Sequence, residues 1–410
     1  MAMRVNVERM QRRLAALTTP ELGGTPAGGM DRPALSDADR AARDLFVAWL
    51  RGLGLAVRVD DFGSIYGRRP GSDPDAAPVL VGSHLDTVPR GGRFDGILGI
   101  VAALEVASAL REAGVTTRRP VDVVDWTAEE GARFDVPMLA SGGAAGAFTR
   151  DYVYSRTDRE GRGFGHELAR IGYRGEESAR PRAVAASLEL HIEQGPVLEE
   201  RGASVGVVEG IAAVRWYWVR VTGRGEHAGG TVMELRRDAL VAAARLVVAA
   251  RDLARERGDL KATTGVFTPQ PGSINVIPES VTFSLDLRAA DDGIQDGAIA
   301  AIRERFAAVA AEEGVNVAIE EHWQVPPTPF DAAIKDRAET LCHARGYAVH
   351  RLVGGIGHDS QYLARVTRAA MLFTPTVGGL SHCEVEDSPW PDIEQATDVL
   401  LALTVELANA

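Results

Sequence analysis

The sequence has few cysteines and no long apolar run. Its 410 residues include only two cysteines, Cys342 and Cys383, so no disulfide framework holds this fold together and a reducing compartment is expected. No segment approaches the roughly 18 uncharged apolar residues that a membrane-spanning helix requires. The charged start of the chain also lacks the apolar core of a secretory signal. We therefore predict a cytoplasmic protein that crosses no membrane.

An excess of positive charge is absent as well. The chain carries 45 Lys and Arg against 57 Asp and Glu, which gives a net charge of -12. Nucleic acids and anionic membranes repel a protein with this charge. We therefore expect neither of them as a partner, and a small molecule is the more plausible ligand.

Apolar runs predict two domains of different character. A chain of 410 residues is too long for one ordinary core. Strands alternate with helices over residues 1–210 and 327–410, which predicts an α/β domain with a mostly parallel sheet. Residues 211–326 show the order β-α-β-β-α-β, which is typical of an inserted ferredoxin-like α+β domain. Residues 141–182 are rich in Gly, Ala and charge, and they predict no definite element.

Four predicted strands end in residues of the kinds that bind metals. In a parallel sheet, the chemistry collects at the carboxyl ends of the strands. Neutral imidazoles and carboxylates are ligands for divalent metals. These residues are His84 with Asp86 and Asp95 after the apolar run 78–81, Glu129 with Glu130, His191, and His382 after Ser381. Each one alone is more often an ordinary loop residue, but together they predict a metal site.

Two of these ends allow a more specific interpretation. Glu129 and Glu130 follow an apolar strand directly, and side chains of adjacent extended residues point in opposite directions. One of them can bind a metal while the other faces a substrate. Asp86 is well placed to orient the imidazole of His84 from behind. Cys383 beside His382 is expected to be a small packed residue and not a thiolate ligand.

Several short motifs occur in a fixed order along nearly the whole chain. They are Gly82-Ser83-His84-Leu85-Asp86, Gly92-Arg93-Phe94-Asp95-Gly96, Glu129-Glu130-Gly131, His191-Ile192-Glu193-Gln194-Gly195-Pro196, Gly225-Glu226-His227-Ala228-Gly229, Gly357-His358-Asp359 and Ser381-His382. The set resembles the dinuclear metal amidohydrolases of the N-carbamoyl-L-amino acid hydrolase, allantoate amidohydrolase and β-ureidopropionase type. These enzymes form a branch of the aminoacylase and carboxypeptidase family, whose α/β catalytic domain carries an inserted lid and dimerisation domain.

The resemblance implies two divalent metal ions, with zinc, manganese, cobalt and nickel all suited to the ligands. Asp95 would bridge the two ions. His84 and His191 would complete one site, and Glu130 and His382 the other. Such a pair of ions holds a hydroxide between them and polarises a scissile carbonyl.

The resemblance also implies roles for residues outside the ligand set. Glu129 would be the general base, and Asp86 would support His84. The remaining roles are His227 as a donor to the oxyanion, Asn275 and Arg288 as ligands of a substrate carboxylate, Gln194 as a partner of the ureido group, and His358 as a structural residue near the site. Without the resemblance, we would interpret His227 as a solvated loop residue and Arg288 as the salt-bridge partner of Asp286 or of another acidic residue.

The expected activity is metal-dependent hydrolysis of the linear C–N amide bond of N-carbamoyl-L-amino acids or related ureides, such as allantoate and β-ureidopropionate. The family implies a homodimer formed through the inserted domain. Two departures from the motifs, Ala128 where relatives tend to have Asn and the loop Gly229–Met233 without a Pro before its Met, leave the substrate open. The alternatives are an aminoacylase or dipeptidase on the same scaffold, or a catalytically silent binding protein that is stabilised by metal.

Overall fold

The structure is a computed structural model that describes residues 3–181 and 183–410. The chain divides into two units, one formed by the residues up to Glu209 together with Pro329–Ala410, and the other by Gly210–Thr328. In the described ranges, no helix combines the length and the apolar character that crossing a membrane demands.

Helices and strands alternate along most of the chain. The helices of the described residues are α1 (Val7–Leu17), α2 (Asp37–Gly52), α3 (Ile97–Glu112), α4 (Leu139–Ala144), α5 (Arg150–Tyr154), α6 (Phe164–Arg170), α7 (Val197–Arg201), α8 (Ala239–Arg257), α9 (Asp292–Glu313), α10 (Ala332–Arg345), α11 (Asp359–Leu363) and α12 (Trp390–Asn409). The strands are β1 (Ala56–Val59), β2 (Ile65–Arg69), β3 (Val79–His84), β4 (Val121–Trp126), β5 (Ala186–Ile192), β6 (Val205–Ile211), β7 (Ala213–Thr222), β8 (Glu226–His227), β9 (Leu260–Thr263), β10 (Phe267–Gln270), β11 (Val276–Ile277), β12 (Ser280–Ala289), β13 (Asn316–Val325), β14 (Thr328–Pro329), β15 (Val349–Gly354) and β16 (Ala369–Thr374).

The first unit is built on a nine-stranded sheet with the order β1-β2-β4-β3-β5-β16-β6-β14, and β15 pairs with β6. The four central strands β4, β3, β5 and β16 are parallel to one another. Strands β1, β2 and β6 add antiparallel pairs on either side. This arrangement confirms the predicted α/β class with a mostly parallel sheet.

Helix α3 connects the core of this unit to the loop in front of it. Its side chains are buried on almost every side, including Ile97, Ile100 and Leu104. The apolar run therefore packs as a central helix, because it has no polar face to turn towards water. Its first residue follows Asp95 by two positions, so the packing of α3 also anchors the loop that carries this aspartate.

The second unit has a five-stranded sheet with the order β10-β12-β7-β13, and β9 also pairs with β12. The strand pairs β10-β12, β12-β7, β12-β9 and β13-β7 are all antiparallel. Helices α8 and α9 pack on the sheet, where Leu246, Phe283 and Ile302 form part of a buried cluster. The order of the elements is the predicted ferredoxin-like one, with the second strand divided into β9 and β10.

Several element bounds differ from the predictions. Strand β3 continues to His84, beyond the predicted end at residue 81, because its pairing with β4 continues to the pair His84 and Trp126. The segment 141–182, for which no element was predicted, contains α5 and α6 and most of α4. Residue 182, like residues 1–2, lies outside the described residues.

Gly82 of β3 lies where two central strands, β3 and β4, approach each other closely. A Cβ atom at this position would overlap the backbone carbonyl oxygen of Val124 in β4. We expect Gly82→Ala to destabilise the protein by about 1–3 kcal/mol, because the strands would have to move apart. The measurement is the midpoint of urea unfolding.

Gly52→Ala is the matched control for this substitution. Gly52 is the last residue of α2, and a Cβ there meets no atom within 4 Å. Alanine favours the helix over glycine by roughly 0.5–1 kcal/mol, so this variant should unfold at the same or a slightly higher urea concentration. Equal midpoints for both variants would contradict the proposed overlap.

Candidate metal centre

Four neighbouring strands present polar residues at one edge of the first sheet. His84 is the last residue of β3, and His191 is the last but one of β5. The chain leaves β4 at Trp126 and reaches Glu129 three residues later, and the loop after β16 leads to His382. Because these strands are parallel and adjacent, their carboxyl ends lie at the same edge.

Asp95 lies between the imidazoles that these strands supply. Its Oδ1 is 3.1 Å from His191 Nε2 and 4.0 Å from His84 Nε2, while its Oδ2 is 3.1 Å from His382 Nε2. The next residue, Gly96, has a φ of 67°, and any Cβ there would overlap the imidazole of His84. Each oxygen of one carboxylate therefore faces a different side of the cluster.

Two groups of three residues are close enough together to hold a metal ion. In the first group, His84, Asp95 and His191 each offer a ligand atom within 4.8 Å of the other two. Asp95, Glu130 and His382 form the second group by the same measure. Glu130 Oε2 lies 3.6 Å from His382 Nε2, and Glu130 Oε1 is buried without a hydrogen-bond partner among the described residues.

The backbone fixes the tautomers of the two buried imidazoles. His84 Nδ1 lies 2.9 Å from the carbonyl oxygen of Asp86, and His191 Nδ1 lies 2.9 Å from that of Ile192. Because a carbonyl only accepts, each Nδ1 carries a proton, and each Nε2 of the neutral ring keeps its lone pair on the side of Asp95, where His191 Nε2 also accepts the N–H of Gly96 at 3.1 Å. Lone pairs and a carboxylate repel one another unless a cation lies between them. The donor set therefore fits a divalent metal ion.

Buried carboxyl groups with shifted pKa values surround this cluster. Glu129 is 6% exposed, and burial, together with the neighbouring carboxylate of Asp359, raises its pKa well above the usual value. Burial and the carboxylate of Asp95 raise the pKa of Glu130 in the same way. For His191, burial lowers the pKa, but Asp95 outweighs this effect and raises the pKa to about 9. A proton and a metal ion therefore compete for the same nitrogen.

Asp86 holds the loop that carries both glutamates. Its Oδ1 accepts the backbone N–H of Glu129 at 3.2 Å, and its Oδ2 accepts that of Glu130 at 3.3 Å. Asp86 contacts His84 through its backbone carbonyl and not through its carboxylate, and its support of the His84 imidazole stays a prediction. Held in this way, Glu129 places its Oε2 at 3.7 Å from His84 Nε2.

Ala128, which departs from the motif of the resembled family, occupies a special backbone position. Its φ is 57°, in the left-handed region where Asn is favoured over most other residues with a Cβ. It is 2% exposed and belongs to the core of the first unit. The difference at residue 128 therefore lies in the buried backbone of the loop that carries Glu129 and Glu130, and not on an exposed surface.

Gln194 is held between Asp95 and the loop of His382. Its Nε2 donates to Asp95 Oδ2 at 3.0 Å and to Ser381 Oγ at 3.2 Å. Its Oε1 is buried and has no hydrogen-bond partner in the part of the chain that the structure describes. A ligand N–H bound beside the cluster is the donor that this oxygen lacks.

His358 and Cys383 lie near the cluster without joining either group of the described residues. The ring centroid of His358 is 4.4 Å from that of His191, and His358 also contacts the ring of Phe373. Burial lowers the pKa of His358 well below its usual value, so its ring is neutral. His358 thus packs behind His191, and Cys383 is a half-buried free thiol.

Sequence reasoning missed Glu386, which is 2% exposed. Its Oε1 accepts the backbone N–H groups of Phe94 and Asp95, both at 3.0 Å, and its Oε2 accepts the Ser381 hydroxyl at 2.8 Å. The available signal was the alternation of Glu384 and Glu386 just after His382. This signal is weak, because such acidic residues in a loop are usually solvated.

In the second unit, His227 and Asn275 lie side by side. His227 in β8 pairs with Val276 in β11, and the N–H of Ala228 donates to the carbonyl oxygen of Asn275 at 3.0 Å. The side chain of His227 is exposed, and its Nδ1 accepts the N–H of Gly229 at 3.1 Å. The proton of the neutral ring is therefore on Nε2.

Arg288 lies far from this pair within the same unit. Strand β12 begins just after β11, and Arg288 comes eight residues after Ser280, which places it about 26 Å along the strand. Arg288 Nη2 donates to Asp286 Oδ2 at 2.9 Å. The ion pair that was the alternative interpretation of Arg288 is therefore present in the structure.

Comparison with known proteins covers nearly the whole chain. Residues 80–406 match the model of peptidase family M20/M25/M40. The chain is 40% identical over 408 residues to an N-carbamoyl-L-amino-acid amidohydrolase of Rhizobium meliloti, with 99% of this chain and 97% of that protein covered. It is 31% identical over 398 residues to an allantoate amidohydrolase of Bacillus subtilis, with 95% of each covered.

The comparison of structures agrees with that of sequences. A hydantoinase/carbamoylase family amidase from Burkholderia multivorans is 42% identical and has a TM-score of 0.95, with 100% of both chains covered. Together these similarities confirm the resemblance drawn from the motifs, and with it the expectation of a hydrolase. The chain therefore belongs to peptidase family M20/M25/M40, in the amidohydrolase branch that its motifs predicted.

Proposed function

We propose that this protein hydrolyses the linear C–N amide bond of an N-carbamoyl-L-amino acid or of a related ureide, such as allantoate or β-ureidopropionate. The observation that carries the proposal is the pair of ligand groups that share Asp95, with Glu129 beside them. The higher identity to the N-carbamoyl-L-amino-acid amidohydrolase than to the allantoate amidohydrolase favours N-carbamoyl-L-amino acids as the first substrates to test.

Two divalent metal ions, of zinc, manganese, cobalt or nickel, are the proposed cofactors. His84, His191 and one oxygen of Asp95 would hold one ion, and Glu130, His382 and the other oxygen of Asp95 would hold the second. When bound, the pair supplies polarisation of the scissile carbonyl and lowers the pKa of a water molecule. Ligands of this kind suit all four metals, so metal availability decides which ones are bound.

Glu129 is the proposed general base. It stands beside His84, but it belongs to neither ligand group among the described residues. Burial raises the pKa of Glu129, which makes its carboxylate a stronger base for a proton of the attacking water. The same carboxyl group can then pass this proton to the leaving nitrogen. Asp86 holds the backbone of Glu129 in place during both steps.

Four further residues are proposed to bind the substrate. The free Oε1 of Gln194 accepts an N–H of the ureido group. Arg288 and Asn275 bind the substrate carboxylate, for which the planar guanidinium offers two parallel donors. His227 donates a hydrogen bond from its Nε2–H to the oxyanion that forms from the carbonyl oxygen.

The length of β12 supports a homodimer in which two copies complete each site. Arg288 is about 26 Å along the strand from the end near His227 and Asn275, whereas a carbamoyl amino acid is only about 7 Å long, or two extended residues. One copy of the second unit cannot bring both ends to the same substrate molecule. We propose that Arg288 serves one site while His227 and Asn275 serve the site of the partner copy.

An aminoacylase or dipeptidase is the second candidate, since the ligand groups and Glu129 would serve any linear amide. The unpartnered Oε1 of Gln194 favours a ureide, because a ureido group carries additional N–H donors next to its carbonyl and an acyl group does not. A catalytically silent binding protein would have no use for Glu129 at this position. The acidic charge and the two free cysteines support a cytoplasmic enzyme that acts on a small molecule.

The first prediction concerns the substrate class. Purified protein loaded with Mn²⁺, Co²⁺ or Zn²⁺ should release ammonia from at least one ureide, because the carbamoyl nitrogen leaves as ammonia when carbon dioxide forms. The panel is N-carbamoyl-L-amino acids, N-carbamoyl-β-alanine, allantoate, N-acetyl amino acids and dipeptides, and a chelator-treated sample is the control.

Amino-acid release is measured in parallel, because acyl and peptide cleavage frees no ammonia. Release from acetylated substrates or dipeptides alone would move the protein to the aminoacylase or peptidase branch. Two bound metal ions with no hydrolysis of any substrate would favour the binding protein.

The second prediction separates the base from the metal ligands. Glu129→Gln should lower kcat by about 10²–10⁴-fold while the protein still binds two metal ions, because the ligand groups remain intact. Glu130→Gln is the neighbouring comparison and should lose metal as well as activity. The measurements are kcat and metal content per subunit. Normal turnover by Glu129→Gln would show that Glu129 is not the general base.

The third prediction tests the shared site. His227→Ala and Arg288→Ala should each be nearly inactive, but dimers that contain one copy of each variant should regain one working site. This site would combine the intact Arg288 of one copy with the intact His227 of the other. The two variants are co-expressed with different affinity tags, and the doubly tagged dimer is assayed. An inactive mixed dimer would contradict sharing between copies.

A further inference from the structure

A closed ring of hydrogen bonds joins Asp95 to Glu386. Glu386 Oε1 accepts the backbone N–H of Asp95 at 3.0 Å, and Glu386 Oε2 accepts the hydroxyl of Ser381 at 2.8 Å. The Ser381 oxygen accepts from Gln194 Nε2 at 3.2 Å, and the same amide group donates to Asp95 Oδ2 at 3.0 Å. The ring thus begins at the backbone of Asp95 and returns to its carboxylate.

Glu386 is enclosed within this arrangement. It is 2% exposed, and Phe94 N–H is its third donor, at 3.0 Å. A Cβ atom at Gly92 would overlap the Glu386 carboxylate, so only glycine leaves room for it. Three donors satisfy a buried carboxylate that would otherwise be costly to remove from water.

The negative charge of Glu386 determines the direction of the hydrogen bonds that Ser381 and Gln194 make. A carboxylate only accepts, so Ser381 uses its one proton on Glu386. The Ser381 oxygen is then an acceptor for Gln194, which turns the NH₂ group of Gln194 towards Ser381 and Asp95. The carbonyl Oε1 of Gln194 is left on the other side, where it has no hydrogen-bond partner among the described residues.

We propose that Glu386 is a positioning residue with two effects. It holds the carboxylate of Asp95 between the two ligand groups, and through Ser381 it orients Gln194 so that Oε1 accepts a ureido N–H. The inference rests on the proposed function for the roles of the metal ions and of Gln194, and it adds Glu386 and Ser381 to the residues that determine them. Glu386 acts through Asp95 and Gln194, since neither ligand group of the described residues includes it.

Glu386→Gln tests this inference with little change of shape. The amide replaces one accepting oxygen by a donor, so either a backbone N–H loses its acceptor or Ser381 must reverse its bond. We expect the metal-free full-length protein to bind Zn²⁺ about 10–100-fold more weakly than wild type in at least one of its two sites. The affinity is measured by competition with a chromophoric chelator, with Zn²⁺ as the only ligand.

Glu384→Gln is the matched control. Glu384 lies two positions before Glu386 in the same loop, and its carboxylate accepts from Arg90 at 2.8 and 3.1 Å. This variant should bind Zn²⁺ and turn over substrate as the wild type does. Equal Zn²⁺ affinities for Glu386→Gln and Glu384→Gln would overturn the proposed hold on Asp95.

Ser381→Ala separates the two effects. It keeps the bonds of Glu386 to the backbone and removes the link to Gln194, so KM for an N-carbamoyl-L-amino acid should rise while Zn²⁺ affinity stays close to that of wild type. An unchanged KM would overturn the orientation of Gln194 through Ser381. The Zn²⁺ titration needs no substrate, so it tests whether Glu386 holds Asp95 even if the proposed function is wrong. Failure of the proposed function would instead appear as two bound ions without ureide hydrolysis.

Discussion

The carboxylate of Asp95 is the constraint on which the rest of the site depends. One of its oxygens faces the two buried imidazoles, and the other faces His382. A single carboxylate can serve both sides only if its backbone and its side chain are both fixed. Gly96 leaves the space for a neighbouring ring, Glu386 holds the backbone N–H, and Gln194 holds one oxygen. These contacts come from different loops, so the site forms only when the whole sheet edge has folded.

The parallel sheet supplies the ligands, and burial determines their chemistry. Adjacent parallel strands bring residues from four distant parts of the chain to one edge, with no need for long loops. The same burial raises the pKa of Glu129 and Glu130, because carboxylates lose the water that stabilises their charge. Positive charge at this edge relieves the repulsion, whether protons or metal ions carry it. The folded protein is therefore prepared for cations before any are bound.

Local patterns in the sequence account for much of the fold and for the kinds of residue at the site. His84, Glu129 and His191 each lie at or just after the end of an apolar run, and the end of a buried strand is a local property. The contact of the Asp86 backbone with His84 and the place of Glu386 were not predictable in this way. Glu386 reaches the N–H of Asp95 across 291 residues of sequence, and only the tertiary fold determines such a hydrogen bond. The roles assigned to these residues remain predictions.

In the second unit, the register of β12 determines where Arg288 lies relative to His227 and Asn275. Side chains on β12 alternate between the buried core and the opposite face, and Asp286 and Arg288 lie together on that opposite face. The antiparallel pairing with β7 extends over the whole of β12 and fixes which face each residue occupies. A shift of one residue would turn Arg288 towards the core and also displace it relative to the pair of His227 and Asn275. A long, fully paired strand therefore keeps Arg288 at a constant spacing from His227 and Asn275, and the proposed sharing of a site between two copies requires that spacing.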